Sequence, residues 1–175
     1  AWYHITRSLV LLIAPMLCFT GEEAWDIIGG GEEDSVLFHT WHEFPPINEK
    51  AEAELVKKWT AVREAREAVT AAIEPLRTNK TVGSSLQAEA EITAPEATAD
   101  YLTALGEELR FALLVSKVEV KTGSELAVTA KASDGEKCER CWHYTHDIGS
   151  VAGHETICKR CAENVDGKGE ERHYA

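Results

Sequence analysis

Cys138, Cys141, Cys158 and Cys161 form a C-x2-C-x16-C-x2-C array near the C-terminal end of the chain, and this spacing dictates a local fold. Two residues between thiolates let one tight turn aim both sulfurs at a single tetrahedral ion at roughly 2.3 Å, and the intervening segment brings the second pair round to close the coordination sphere. Four sulfurs leave no position for an exchangeable water, so a metal held there supports a fold and does no chemistry on a substrate. An independent zinc hydrolase is thereby excluded, because it needs an open metal position with a general base beside it. The reading adopted is one structural Zn2+. The same cysteines could instead form two disulfides, a redox C-x-x-C or a rubredoxin-like iron site; iron stays open, because tetrathiolate geometry accepts both metals. His143, His146 and His154 lie between the pairs. With the tetrahedron already full they are read as surface or hydrogen-bonding residues. The fifth cysteine, Cys18, lies in an apolar run and is expected to be a small buried hydrophobe.

Charge limits what the chain can bind. Eighteen Lys and Arg against 30 Asp and Glu give a formal net charge of -12, a sign that opposes general affinity for nucleic acid and gives no reason to expect a DNA partner. Contact with a polyanion would have to come from a local basic or aromatic patch. The run Ser8 to Phe19 behind Arg7 falls well short of the ~20 apolar residues that span a bilayer, so no membrane segment is expected. It reads better as a buried helix in a bundle, with Tyr3, Leu9, Ile13 and Leu17 on its apolar stripe. The sequence opens at Ala1, without a methionine and in a helical pattern, as a fragment would. Free thiolates fit a reducing, cytoplasmic compartment.

Patterning divides the chain into three expected pieces, residues 1–47, 48–132 and 133–175. In the first, Thr20 and Glu23 read as a capping box opening a second helix to Ile28, stopped by Gly29, Gly30 and Gly31. An extended stretch with Val36, Phe38 and Trp41 follows, closed by Pro45 and Pro46. The second piece opens with Asn48 as an N-cap and a long amphipathic helix to about Arg77, whose stripe is Leu55, Trp59, Val62, Val69, Ile73 and Leu76. Alternation over Leu86, Ala88, Ala90 and Ile92 predicts a half-buried strand. Pro95 then opens one helix carrying Leu102, Leu105, Leu109 and Leu113. Val115 to Val120 and Leu126 to Ala130, either side of Thr122-Gly123-Ser124, predict a hairpin. The fold class is α+β: helices on one face of a small, partly antiparallel sheet, then the four-cysteine knuckle.

Gly135 to Cys161 and the tail Gly167 to Ala175 resemble the extreme C-terminal region of the bacterial isoleucine-tRNA ligase family, class I aminoacyl-tRNA synthetases. Upstream, Val62-Arg63, Asn79 to Ala88, and Glu108 to Leu114 are similar to successive blocks of that family, and Leu12 to Leu17 with Trp25 resembles the last helices of its anticodon-binding bundle. The segment between the second helix and the knuckle is shorter than in some members. The resemblance implies a parent enzyme that attaches isoleucine to its tRNA in two ATP-dependent steps. The nucleotide-binding and editing domains of that family lie upstream, and their HIGH and KMSKS signatures do not occur here. This region is therefore expected to hold no catalytic residue, ATP and Mg2+ belonging to the missing catalytic domain. Its partners would be the anticodon end of tRNA and the remaining domains of the same polypeptide.

Arg140 inside the first turn and Trp142 just after it suit RNA: an indole stacks on an unpaired base for ~1–3 kcal/mol, and a guanidinium pairs with a base edge or phosphate. Lys159 and Arg160, in the second turn, are candidates for backbone phosphates. Against this stand a Trp142 packed over the metal cluster and a merely solvated knuckle. The competing function is a zinc-stabilised structural or protein-interaction module with no direct RNA contact.

Overall fold

The computed structural model describes residues 2–29, 34–46 and 48–174. The chain divides into two compact units, Ala1–Glu49 and Lys50–Ala175. Among the described residues no helix is long and apolar enough to cross a membrane.

In the first unit, helix α1 (Trp2–Ile13) and helix α2 (Cys18–Ile28) pack around Val10, Leu11, Ala14, Trp25 and Val36. The apolar run does not form one helix through Phe19. Pro15 has no N–H, and its ring collides with the carbonyl of residue i−4, so the chain turns at Ala14 and restarts at Cys18. The expected stripe is rotated: Tyr3, Leu9 and Leu17 are exposed, while Val10 and Leu11 face inward. Cys18 is also exposed. The capping box does not form, because α2 begins before Thr20 and Leu17 occupies its N-cap without a side-chain bond. Gly29, in the left-handed region, caps the helix end by donating to the Trp25 carbonyl; Gly30 and Gly31, the rest of the expected stop, lie outside the described residues. The stretch read as extended is a 3-10 turn, Val36–Phe38, whose Val36 N–H donates to the Glu22 carboxylate at 3.1 Å; Phe38 and Trp41 are exposed. Trp25 is wholly buried, with Nε1 donating to Asp34 at 3.2 Å and the Arg7 guanidinium over its ring at 4.2 Å.

Helix α3 (Glu49–Thr78) begins directly after Asn48, and all but its first residue belongs to the second unit. Val62, Ala65, Val69 and Ile73 bury one face, with Trp59 and Leu76 partly covered, whereas Leu55 remains exposed. A 3-10 turn leads into β1 (Ala88–Ala94), the central strand of a three-stranded sheet ordered β2-β1-β3. Its inward side chains are short (Ala88, Ala90 and Ala94 with Ile92), which lets the helices lie close to the sheet. The single helix expected after Pro95 is two, α4 (Glu96–Thr103) and α5 (Leu109–Leu113), joined by a 3-10 turn. Gly106 breaks it by adopting φ +54, a conformation that costs a residue with a Cβ. The leucines at 102, 105, 109 and 113 are nevertheless all buried.

No hairpin joins the last two strands. β2 (Lys117–Thr122) pairs with β1 in parallel, Ala90 opposite Val118, and β3 (Ala127–Ala132) pairs with the other edge of β1 antiparallel, Ala90 opposite Ala130. The intervening turn therefore crosses the end of β1. Gly123 donates to the Ala94 carbonyl there at 2.8 Å, and a Cβ on it would meet Thr93 Cγ2 at 2.3 Å. The knuckle follows: β4 (Glu136–Lys137) and β5 (Tyr144–Thr145) form a two-stranded ribbon, and α6 (Lys159–Asp166) carries the second cysteine pair's C-terminal member. The fold is α+β, a small helix-plus-sheet unit ending in a four-cysteine cluster.

Candidate metal centre

Two turns aim the cysteines at one point. In the first, the Cys138 N–H donates to the His143 carbonyl and the Trp142 N–H returns to the Cys138 carbonyl, each at 2.9 Å. In the second, Cys158 is the N-cap of α6, and Cys161 follows one turn later, supported by an Ala162 N–H bond to the Cys158 carbonyl at 3.0 Å. The four sulfurs lie within 4.8 Å of one another, and Cys141 Sγ is 3.8 Å from Cys158 Sγ. A tetrahedron with metal–sulfur bonds of 2.3 Å has edges of about 3.8 Å, so this donor set fits a tetrathiolate ion. Cys138, Cys158 and Cys161 are buried and Cys141 is half-buried.

Hydrogen-bond donors face the sulfurs. The Cys158 N–H points at Cys138 Sγ at 3.3 Å, and Arg140 Nη1 lies 3.7 Å from Cys161 Sγ. Burial raises the Cys141 thiol, but hydrogen bonds from His143 and Arg160 outweigh it and bring the group down to about 5. Burial pushes Cys158 up to about 12 and also raises Cys161. Four thiolates this close repel one another, and a cation at their centre would offset that repulsion.

The histidines stay outside the sulfur set. His143 is buried, with Nδ1 at 3.2 Å from the Cys141 carbonyl and its ring edge-on to Phe111; His154 pairs with Asp166 at 2.7 Å and His146 with Asp134 at 3.3 Å. Glu89, Asp134 and His146 bring a second group of donors together, but Glu89 is already engaged by Lys131 at 3.2 Å and Ser133 at 2.9 Å.

Of the side chains proposed for RNA, Arg140, Trp142 and Lys159 are exposed. Trp142 is 60% exposed with φ +65, and Lys137 Nζ lies 5.2 Å from its ring centre. Arg160 is turned inward. Its guanidinium pairs with Glu170 at 2.8 Å and lies 4.6 Å from the Phe111 ring.

Two residues that meet the knuckle are not singled out by sequence reasoning, although Phe111 lies in one of the blocks that carry the resemblance. Ser116, 2% exposed, donates its hydroxyl to the Leu86 carbonyl and accepts the Tyr144 N–H at 2.6 Å, tying β5 to the sheet. Phe111 receives His143 and Arg160 from the knuckle side.

A hydrogen-bonded four-sulfur centre appended to helices and a small sheet has clear counterparts. Residues 135–164 match the model of a zinc finger found in FPG and IleRS, and residues 1–92 match the anticodon-binding domain of tRNA ligase. The chain belongs to the family of anticodon-binding domains of tRNA ligases, as the motif resemblance implied. Over its whole length it is 88% identical to the C-terminal part of the isoleucine-tRNA ligase of Neisseria meningitidis serogroup A, of which it covers 19%. The corresponding ligases of Chromobacterium violaceum and Laribacter hongkongensis are 54% and 48% identical over the full chain, which covers 19% and 18% of them. The chain thus spans about a fifth of the length of the curated relatives it matches.

Proposed function

We propose that this chain is the C-terminal, RNA-facing part of a cytoplasmic isoleucine-tRNA ligase. It holds one Zn2+ on Cys138, Cys141, Cys158 and Cys161, and presents Arg140, Trp142 and Lys159 to the anticodon end of tRNA. The ion would neutralise the thiolates and fix the two turns. Activation of isoleucine with ATP and Mg2+, and its transfer to tRNA, belong to the remaining domains of the same polypeptide. Arg160, paired with Glu170, serves the knuckle's own fold.

The observation that carries this reading is Trp142. A left-handed conformation costs a side-chain-bearing residue roughly 1–2 kcal/mol, and an indole that stays 60% exposed gains little from burial to offset that cost. Strain of this kind persists where it serves a site. Here it aims a flat aromatic outward with the Lys137 ammonium 5.2 Å from its ring centre, a local aromatic and cationic pair on a chain of net charge -12.

The acidic balance, together with the exposed Trp2, Phe19 and Ile27 of the first unit, favours a second reading in which the chain serves only as a docking module for protein. Titration of the zinc-loaded chain with an anticodon stem-loop at two salt concentrations separates the two. Under the RNA reading, Trp142→Ala weakens binding about 5- to 150-fold, the equivalent of ~1–3 kcal/mol, with zinc content and melting unchanged. Unaltered affinity with a lower melting temperature would refute it. Absence of saturable binding by the wild type at low salt would leave the docking module.

A further inference from the structure

Residues Gly167 to Tyr174 have no regular secondary structure, and irregular segments are usually loose unless something ties them down. This one is tied repeatedly. The Lys168 N–H donates to Glu163 Oε1 at 3.1 Å, and the Glu170 N–H to Asn164 Oδ1 at 2.8 Å. The next anchor lies more than sixty residues back in sequence: Glu108 accepts the His173 N–H on Oε1 at 2.7 Å and the Tyr174 N–H on Oε2 at 2.6 Å. A carboxylate spending both oxygens on consecutive amides is a directional, charge-assisted grip. The Tyr174 ring then lies under the Lys58 ammonium at 3.8 Å, reaching α3.

Between these anchors the tail takes hold of the knuckle. Glu170 Oε1 accepts from Arg160 Nη1 at 2.8 Å and from Arg172 Nε at 2.9 Å. Both guanidinium groups lie over the Phe111 ring, Arg160 at 4.6 Å and Arg172 at 4.3 Å. Arg160 is the neighbour of Cys161, and His143, the neighbour of Trp142, also meets the Phe111 ring. One aromatic ring thus gathers a residue next to a cysteine of the second turn, a residue next to the exposed indole of the first, and the tail that Glu108 secures. None of Glu108, Glu170 and Arg172 belongs to the buried core under the sheet, so the core does not depend on them.

We infer that the segment from Gly167 to Tyr174 is a latch that orients the cysteine knuckle, with Glu108 as its catch and Phe111 as the seat on which it closes. The latch rests on the RNA-facing reading above: it sets the direction in which Arg140 and Trp142 point, and it does not itself touch RNA. Glu108 and Arg172 are positioning residues.

The test uses the full-length ligase carrying this chain. Glu108→Gln replaces one acceptor oxygen with an amide donor facing an N–H, and truncation after Gly167 removes the latch altogether. Zinc per chain, KM and kcat with tRNA, and tRNA-independent pyrophosphate exchange are measured, with Trp142→Ala alongside. The expected result is at least a fivefold rise in KM for tRNA in both latch variants, with zinc content, kcat and pyrophosphate exchange near wild type. A higher KM in Trp142→Ala with no change in either latch variant overturns the latch and leaves the RNA reading intact. An unchanged KM in Trp142→Ala overturns the RNA reading itself, and the latch's role with it. Loss of zinc in the latch variants also overturns the inference, because the tail would then be retaining the metal and not orienting the knuckle.

Discussion

Ser116→Ala isolates the bond that joins the knuckle to the sheet. The hydroxyl is buried, donates to the Leu86 carbonyl and accepts the Tyr144 N–H at 2.6 Å, while the Ser116 N–H makes its own bond to Ala88 at 3.0 Å and survives the substitution. Alanine fits the space but withdraws one partner from each of two backbone groups, at about 1–3 kcal/mol for each group left unsatisfied. With partial relaxation the expected loss is ~2–4 kcal/mol. For a unit of the size of Lys50–Ala175 this corresponds to a fall in Tm of roughly 8–16 °C. Urea unfolding of the zinc-loaded protein, at fixed free zinc, measures the first figure. Hydrogen exchange at the Tyr144 amide measures the bond directly, and its protection should fall while that of Ala90 and Ile92 in β1 is reduced only by the global change. A variant within ~0.5 kcal/mol of wild type, the usual scatter of surface substitutions, with Tyr144 still protected would refute the reasoning.

Chelation of the metal under reducing conditions should release residues 136–161 while β1 stays protected, because the knuckle's own apolar cluster consists of cysteines with only Ile148 and Ile157 against them; equal protection of both segments in the stripped protein would contradict this. Gly123→Ala should cost about 1–3 kcal/mol through overpacking against Thr93, and Thr93→Ser, which removes the methyl in the way, should recover most of it in a double-mutant cycle. Burial raises the Glu170 carboxyl, but Arg160 and then Arg172 outweigh burial and hold it below the usual carboxylate range. Its contribution is therefore present above the unfolded value, near pH 4.5, and is lost as the pH falls through the lower folded value. The Glu170 side-chain carboxyl shift, followed by NMR in the zinc-loaded protein, checks this; titration at or above the free value would count against the latch's ion pairs.

The cysteine cluster was legible because its information is local: each C-x-x-C is a single turn, and the pairing needs only that the two turns meet. The leucines at 102, 105, 109 and 113 marked the core although the helix through them breaks at Gly106, since two helices and a 3-10 turn keep the same face inward. Pairing between strands was harder to see. Thr122-Gly123-Ser124 between alternating segments looks like a hairpin turn, yet both segments found a better partner in β1, whose identity as a central strand depends on residues thirty positions away. In the first unit, α1 carries more apolar side chains than it buries, so the stripe read from the sequence fell on a partly exposed face, and Pro15 decided where the helix ended. Ser116 offered no pattern, and the block holding Glu108 and Phe111 showed a resemblance but no role for either residue. Their roles come from meeting residues of the knuckle and tail that are distant in sequence.

The order β2-β1-β3 leaves two strands with a free edge, the kind of surface on which proteins recruit unwanted strands from one another. Both carry charge on their outward side: Lys117 with Glu119 at 2.9 Å and Lys121 with Glu91 at 2.6 Å on one margin, Lys131 with Glu89 at 3.2 Å on the other. A strand arriving from a second molecule would have to strip water from the exposed ammonium groups of Lys117, Lys121 and Lys131 and the Glu119 carboxylate before it gained its first backbone bond. Crossing the end of β1 at Gly123 thus does more than set topology: it puts the alanine-rich, most adhesive strand in the middle and leaves only guarded borders for a crowded cell to test.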